Sequence, residues 1–261
     1  MTIEEESRVE IAVEGALARL TMRFRTRLNL MDERAIDSLT EAIASLRGRR
    51  GLRAAVLSGA PGRAFVGGAD IRVLRGLGPG SARAFICRLT GVFRAIRGLD
   101  IPLVAAIEGY ALGGGLELAM SCDLRVAASG ARLGLPEVKV GIPSVIEAAL
   151  LPRLIGLGRA QHLLYTGDLI DGTEAHRIGL VDMTAAAGEV QAAALRVAGR
   201  ITACSPAAIR AQKRLLRVWQ ESHLDAAVAA GIEEFDAAYE SGDPREGMTA
   251  FLEKRPPRFG D

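Results

Sequence analysis

Two glutamates stand in apolar surroundings, where a carboxylate is unusual. Glu117 lies in the string Leu-Glu-Leu-Ala (116–119), and Glu137 lies in Leu-Pro-Glu-Val (135–138). Burial raises the pKa of a carboxyl group, and so does a second negative charge nearby. One glutamate could then hold a proton while the other is ionised, which suits general acid–base catalysis. The alternative is one carboxylate in the first turn of a helix and one on the surface.

Two glycine-rich loops each follow a predicted buried strand. The first loop is Arg-Ala-Phe-Val-Gly-Gly-Ala-Asp-Ile (63–71), and the second loop is Glu-Gly-Tyr-Ala-Leu-Gly-Gly-Gly-Leu-Glu-Leu-Ala-Met (108–120). Glycine lets a ligand approach the backbone closely, and the first amides of a helix have no intrahelical partner. One amide from each loop could bracket a single oxygen, as in an oxyanion hole. Two tight turns without a ligand are the alternative.

Other catalytic patterns are missing from the sequence. It has no G-x-S-x-G nucleophile elbow, no P-loop and no G-x-G-x-x-G dinucleotide motif. A two-carboxylate glycosidase fits poorly, because aromatic residues, which stack on sugars, make up only 4% of the chain. The histidines and cysteines lack metal-ligand spacing, so we interpret both sets as structural and the cysteines as core thiols. These residues are His162, His176, His223, Cys87, Cys122 and Cys204.

The composition also excludes several classes of protein. The 261 residues are 49% hydrophobic and 25% charged, which is typical of a globular chain and not of a disordered one. No apolar run approaches the ~20 residues of a membrane span, and the acidic start (1–7) favours a cytoplasmic location over a targeting peptide. The net charge of +2 argues against nucleic acid as a partner. Three of the 33 basic residues are lysine, so 30 are arginine, which suits phosphate recognition or reflects biased codon usage.

The elements that must position the glutamates and loops indicate an α/β fold. Short buried strands alternate with amphipathic helices, and strands separated by helices pair in parallel. Only helices follow residue 185, so we predict an α/β core over residues 1–195 and a helical region over 196–261. The predicted elements of the core are a hairpin at 8–22, strands at 53–57, 102–107 and 124–128, and helices at 32–46, 83–96 and 116–121.

The helical region carries large apolar residues that a thin layer cannot easily bury. Trp219, Phe235 and Tyr239 should therefore pack on the chain's own core or on another subunit.

Three strings resemble the crotonase superfamily, which is the enoyl-CoA hydratase/isomerase family. They are Ala-Phe-Val-Gly-Gly-Ala-Asp-Ile (64–71), Ile-Glu-Gly-Tyr-Ala-Leu-Gly-Gly-Gly-Leu-Glu-Leu-Ala-Met-Ser-Cys-Asp (107–123) and Leu-Pro-Glu (135–137). The resemblance spans nearly the whole chain and implies a spiral of ββα units with a helical C-terminal region. It also implies acyl-CoA substrates and homotrimers, often stacked as homohexamers. It implies no metal and no redox cofactor, since CoA belongs to the substrate.

The resemblance implies roles for individual residues. Glu117 and Glu137 match the two catalytic glutamates, and the amides of Ala69 and Gly114 match the donors of the oxyanion hole. The expected substrate-binding residues are Gly68, Ala69, Asp70, Ile71, Arg72, Gly114 and Ser144.

The presence of both glutamates favours an enoyl-CoA hydratase, because relatives that only shift a double bond typically keep only the one at position 137. The alternatives are a sister activity, namely an enoyl-CoA isomerase or a hydratase of a specialised acyl-CoA, and a non-catalytic binding protein on the same fold.

One segment departs from the family's pattern. The string Gly-Ile-Pro-Ser-Val-Ile-Glu (141–147) has Ser144 and Glu147 where glycines are expected. Ser144 could donate to the water or substrate, or cap the following helix. Glu147 could be a third acidic group in the pocket, or the capping-box partner of Ser144 at Ser-x-x-Glu spacing. Arg63 and Arg72 could each pair with CoA phosphates or lie on a solvated face.

Overall fold

The computed structural model describes residues 6–260; residue 261 and most of the acidic start, residues 1–5, lie outside that range. Two sheets form the frame, and in both of them parallel pairs are joined to one antiparallel pair. In spatial order, the main sheet contains β1 (Arg8–Glu14), β2 (Leu17–Arg23), β3 (Ala54–Gly59), β4 (Leu103–Ile107), β6 (Leu124–Ala128) and β9 (Met183–Ala185). The small sheet contains β5 (Tyr110–Leu112), β7 (Arg132–Gly134) and β8 (Leu169–Asp171).

The helices alternate with the strands and then follow them. The α-helices are α1 (Glu33–Leu46), α2 (Ile71–Arg75), α3 (Pro79–Arg97), α4 (Gly114–Ser121), α5 (Leu151–Ile155), α6 (Leu157–Thr166), α7 (Gly172–Arg177), α8 (Val190–Thr202), α9 (Pro206–Glu221), α10 (Leu224–Ala238) and α11 (Asp243–Leu252). Short 3₁₀ helices span Pro136–Val140, Glu147–Leu150 and Tyr239–Ser241.

Successive units place one strand in each sheet. The pairs β4–β5 and β6–β7 both run from the main sheet to the small one, and helical segments follow each pair. The segments that follow β2 and β3 take the same path, but each makes a single β-bridge in place of a strand. One bridge joins Met31 to Ala69, and the other joins Val66 to Ala111. The predicted α/β fold of ββα units with a helical C-terminal region is confirmed.

The core lies between the main sheet and the helices that pack on it. Asp32 caps the start of helix α1, since its carboxylate accepts the Ala35 amide at 2.8 Å, and the helix packs against α3 and β1. Helix α8 packs against β3, β4 and β6, although the boundary predicted at residue 195 falls inside it. Helix α3 begins at Pro79, four residues before the predicted start, because Pro79 at its first position and Ser81, which accepts the Gly78 amide, begin a helix well.

The burial of the cysteines and of the aromatic residues in the helical region differs in part from the predictions. Cys122 is buried as predicted, whereas Cys87 and Cys204 are exposed, so the interpretation of all three as core thiols was wrong. Trp219, Phe235 and Tyr239 remain 43%, 67% and 55% exposed, so the chain's own core does not cover them. Across residues 6–260, no helix combines the length and apolar character that crossing a membrane requires.

Candidate active site

Glu117 is held at the start of α4 with its side chain buried. The amides of Ile146 and Ala148 both donate to its Oε1, each at 3.0 Å. Burial raises the pKa of Glu117, the two amide bonds oppose that rise, and the negative charges of Glu137 and Glu147 add to it. The residue therefore holds its proton at a higher pH than an ordinary glutamate does, while its orientation is fixed by backbone donors.

Glu137 approaches from the 3₁₀ helix Pro136–Val140. Its Oε2 accepts the Ser144 hydroxyl at 2.8 Å, while its Oε1 lies beside Gly113, where an added Cβ would come within 2.8 Å of it. Burial raises the pKa of Glu137 as well, and the Ser144 hydrogen bond opposes that rise. Gly113 has φ of 53°, a conformation that glycine adopts most readily, so both its backbone and the nearby carboxylate favour glycine there.

Both glutamates face one cavity of about 220 Å³, and its lining is mostly apolar. An apolar cavity with two carboxylates suits a substrate that has a hydrophobic part and a reacting polar bond. The lining residues are Gly67, Gly68, Ala69, Ile71, Leu74, Phe85, Ile86, Leu89, Leu112, Gly113, Gly114, Glu117, Pro136, Glu137, Lys139, Val140, Ile142, Pro143, Ser144 and Val145.

The structure thus brings most of the expected site residues together. Asp70 and Arg72 are outside the cavity lining. The Asp70 carboxylate accepts the Arg72 amide at 2.9 Å and its guanidinium at 2.8 Å, and that pairing holds the pKa of Asp70 below its usual value. Arg63 donates to the carbonyls of Phe24 and Thr26, so it braces the chain entering α1.

The first loop is fixed by backbone hydrogen bonds on both sides. The Val66 amide donates to Tyr110 at 3.0 Å, and the Gly67 amide donates to Leu28 at 2.7 Å. Further along the loop, the Met31 amide donates to the Gly68 carbonyl, and the Asp70 amide donates to the Met31 carbonyl. Because successive amides of an extended chain point to opposite sides, the Ala69 amide between them points away from Met31. Ala69 also lines the cavity, so a rigid segment presents that edge of the loop to the site.

The second loop turns directly into α4. Gly114 is the first residue of α4 and lines the cavity, and the first amides of a helix have no partner within it. An added Cβ on Gly115 would lie 2.2 Å from the Val66 carbonyl oxygen. The glycine therefore lets α4 pack directly on the first loop. Ala69 of the first loop and Gly114 of the second therefore line the same cavity.

Asn29 supports the first loop, and the sequence analysis gave it no role. Its side chain is fully buried. Its Oδ1 accepts the Phe24 amide at 3.0 Å, and its Nδ2 donates to Ala64 at 2.7 Å and to Phe65 at 3.2 Å. Its φ of 51° is a conformation that asparagine tolerates better than most residues do. An asparagine between two leucines was the only signal that the sequence offered.

The departures at 144 and 147 have definite contacts. Ser144 bonds Glu137, and the 3₁₀ helix beginning at Glu147 has no side-chain cap, so the capping alternatives for both residues were wrong. Glu147 is outside the cavity lining and accepts Arg97 at 2.8 Å. Arg97 is a partner that the sequence analysis missed.

The arrangement places two carboxyls of raised pKa and the backbone of Ala69 and Gly114 at one apolar cavity. Such a site can stabilise negative charge on an oxygen and transfer protons at adjacent atoms. In the described part of the chain, no group of three or more His, Cys, Asp or Glu side chains could hold a metal ion.

Comparisons with known proteins show the family to which the chain belongs. A family model described as enoyl-CoA hydratase/isomerase matches residues 12–261. A crotonyl-CoA hydratase of Syntrophomonas wolfei is 37% identical over 94% of this chain and 95% of its own length. A short-chain-enoyl-CoA hydratase of Clostridium acetobutylicum is 35% identical over 96% of this chain and 97% of its own. The crystal structure of an enoyl-CoA hydratase from Bacillus anthracis matches with a TM-score of 0.92 and 29% identity, over 98% of this chain and 99% of that one. The chain therefore belongs to the enoyl-CoA hydratase/isomerase family, the crotonase superfamily, and has its fold.

Proposed function

We propose that this protein is an enoyl-CoA hydratase, which adds water across the double bond of a 2-enoyl-CoA thioester to give a 3-hydroxyacyl-CoA. The observation that carries the proposal is the position of Glu117 and Glu137 on one cavity, each with one oxygen held by fixed donors. A glutamate held through one oxygen keeps its second oxygen oriented for chemistry. In each residue, this second oxygen is the one that acts on water or substrate.

The thioester carbonyl accepts the amides of Ala69 and Gly114. Attack at the β-carbon moves electron density onto this oxygen as an enolate forms, and each fixed amide can contribute about 3 kcal/mol to its stabilisation. The N-terminal end of α4 adds its positive partial charge at the same point. The CoA portion lies along the segment Gly68–Arg72 at the mouth of the cavity.

Water adds in two linked proton transfers. Glu117 Oε2 holds the water and removes one proton as the water oxygen bonds to the β-carbon. The π electrons move to the α-carbon and the carbonyl oxygen. Glu137 delivers a proton to the α-carbon, the carbonyl re-forms, and the sum of the two transfers is one added water. The two carboxyls titrate as a coupled pair, so they can exchange these roles.

The names of two relatives support a short acyl group in the substrate. Two of them are named for hydration of crotonyl-CoA and of short-chain enoyl-CoA. The apolar side of the cavity, which includes Leu74, Phe85 and Leu89, is suited to an acyl chain. Crotonyl-CoA is therefore the first substrate to test.

The experiment follows the ultraviolet absorbance of the conjugated thioester of crotonyl-CoA with wild type, Glu117→Gln and Glu137→Gln. We expect wild type to remove the band and each variant to be slower by about 10²–10⁴. Saturable binding of crotonyl-CoA without loss of the band would overturn short-chain hydration. A 3-enoyl-CoA whose double bond moves without gaining a hydroxyl would identify an isomerase instead.

The assembly that we propose is a homotrimer or homohexamer. Helices α10 and α11 and the 3₁₀ helix between them expose large apolar residues that this chain alone leaves in water. Those on α10 are spaced by three or four residues, so they share one face of the helix. The exposed apolar residues are Leu224, Val228, Ile232, Phe235, Tyr239, Met248, Phe251 and Leu252.

A further inference from the structure

Glu147 is a buried charge that the proposed mechanism does not use. Its side chain is only 3% exposed, and its Oε2 accepts Arg97 Nη1 at 2.8 Å. Arg97 is the last residue of α3 and is 41% exposed, so the pair joins the end of a surface helix to a buried turn. Burying a carboxylate is costly unless a partner stabilises it, and Arg97 is the partner of Glu147.

Glu147 lies between the two residues that hold Glu117. The amides of Ile146 and Ala148 donate to Glu117 Oε1, and Glu147 begins the 3₁₀ helix that carries the second of them. Glu147 is outside the cavity lining, so it does not meet a substrate there. Its contact with Arg97 therefore acts on the backbone of residues 146–148.

We propose that the Glu147–Arg97 ion pair is a positioning device, which anchors residues 146–148 so that both amides stay on Oε1 of Glu117. The anchor is a property of the folded chain, so it can be tested whether or not the protein is a hydratase. Its effect on catalysis rests on the proposed hydratase function.

Glu147 also has an electrostatic effect, and this makes the proposal testable. Its negative charge by itself raises the pKa of Glu117, as does that of Glu137. Burial raises the pKa of Glu147, and the positive charges of Arg97 and Arg94 on α3 oppose that rise. The amide bonds act on Glu117 in the opposite direction, because they stabilise its carboxylate. Losing the charge alone would therefore lower the pKa of Glu117, whereas losing the anchored amides would raise it.

The experiment compares Glu147→Leu, which removes charge and hydrogen bond, with Glu147→Gln, which keeps an acceptor for Arg97. Amide hydrogen exchange of a peptide covering 145–151 is read by mass spectrometry, and kcat and KM for crotonyl-CoA are read across pH. Glu234→Leu is the matched control, since Glu234 pairs with Arg214 at 2.7 Å outside the cavity lining. Arg97→Met breaks the same contact from its exposed side in case Glu147→Leu does not fold.

We expect Glu147→Leu to exchange the 145–151 amides about tenfold faster than wild type. We expect kcat to fall about 10- to 100-fold with KM changed far less, and the acid limb of kcat to move to higher pH. Glu147→Gln and the control should retain near wild-type exchange and kcat. Unchanged exchange in Glu147→Leu, or an acid limb that stays in place or moves to lower pH, would overturn the proposal. If wild type does not hydrate crotonyl-CoA, the hydratase function fails, and the exchange measurement still decides whether the anchor exists.

Discussion

The hydroxyl of Ser144 donates to Oε2 of Glu137 at 2.8 Å, across seven residues of chain that include the turn at Gly141. The contact joins Ser144 to a proposed catalytic carboxyl. A donor to a carboxylate stabilises the ionised form. Ser144 thus adjusts the protonation of Glu137 rather than capping a helix.

Replacing Ser144 with alanine should raise the pKa of Glu137, because the hydrogen bond that opposes the effect of burial is lost. Glu137 acts as the proton donor in our mechanism, so the basic limb of kcat/KM should move to higher pH. The measurement is the pH profile with crotonyl-CoA. Ser144→Thr keeps the hydroxyl and should leave the limb in place; a limb that moves to lower pH in the alanine variant would contradict the assignment.

Replacing Asn29 should destabilise the first loop. Asn29→Gly keeps the positive φ of 51° but removes the buried hydrogen bonds to Phe24, Ala64 and Phe65. We expect a loss of about 1–3 kcal/mol in the free energy of unfolding, since buried backbone groups are left without partners. Asn29→Ala adds backbone strain and should be less stable still. Equal stability of wild type and Asn29→Gly in urea titrations would show that these bonds contribute nothing.

Gly113→Ala should reduce kcat more than it reduces stability. Its Cβ would lie 2.8 Å from Oε1 of Glu137, so the carboxyl must shift from its present position. A displacement of that kind can lower kcat by about 100-fold. Gly48→Ala is the matched control, because Gly48 also has positive φ but an added Cβ would meet nothing within 4 Å. Similar losses of kcat in both variants would indicate backbone strain rather than displacement of Glu137.

Glu117→Gln should make the protein more stable than wild type at neutral pH. Burial raises the pKa of Glu117 in the folded state above its ordinary value of 4.5. Its contribution to stability is thus fully present below pH 4.5 and is lost as pH rises through the raised folded-state pKa. Glutamine stays neutral, so its advantage should grow with pH.

Urea denaturation from about pH 4 to pH 8 measures that difference. The control is Glu174→Gln, where an exposed arginine holds the pKa of the carboxyl low instead. That variant should show no such gain at neutral pH. A stability difference for Glu117→Gln that is the same at every pH would mean that the carboxyl does not titrate differently in the folded and unfolded states.

Placing a charge on the apolar face of α10 should dissociate the proposed assembly. Phe235 is 67% exposed in the single chain, so Phe235→Asp should lower the stability of an isolated subunit only slightly. In an interface the buried charge should weaken subunit association strongly. Light scattering should give about three or six times the 27.6 kDa chain mass for wild type and less for the variant. Tyr165→Asp, at a residue 74% exposed on α6, is the control. A wild-type protein of one chain mass would contradict the assembly.

The sequence was most informative where one residue type has one physical reason to be present. Glutamates in apolar strings indicated carboxyls that lie at one cavity, and glycine runs after strands indicated backbone that lines the same cavity. The strands of the small sheet were missed, because three residues are too few to show a period of two. The expected cytoplasmic location and the division at residue 195 stay predictions.

Contacts between distant parts of the chain were the least predictable. Arg97 and Glu147 are 50 residues apart, and the partners of Asn29 lie up to 36 residues away. The residue types at these positions do not reveal which distant residues they contact in the folded chain. The short 3₁₀ helices that carry Glu137 and Glu147 were not predicted from the sequence.

The proposed oxyanion donors are main-chain atoms of Ala69 and Gly114, and this affects how the protein tolerates change. No substitution removes a backbone amide except proline, which also locks φ. An alanine scan would pass over position 69 altogether and would leave the amide at 114 in place. Scans of side-chain substitutions would then fail to detect these amides, although they carry the largest share of the proposed rate enhancement. Replacing the amide by an ester through chemical synthesis would expose them directly.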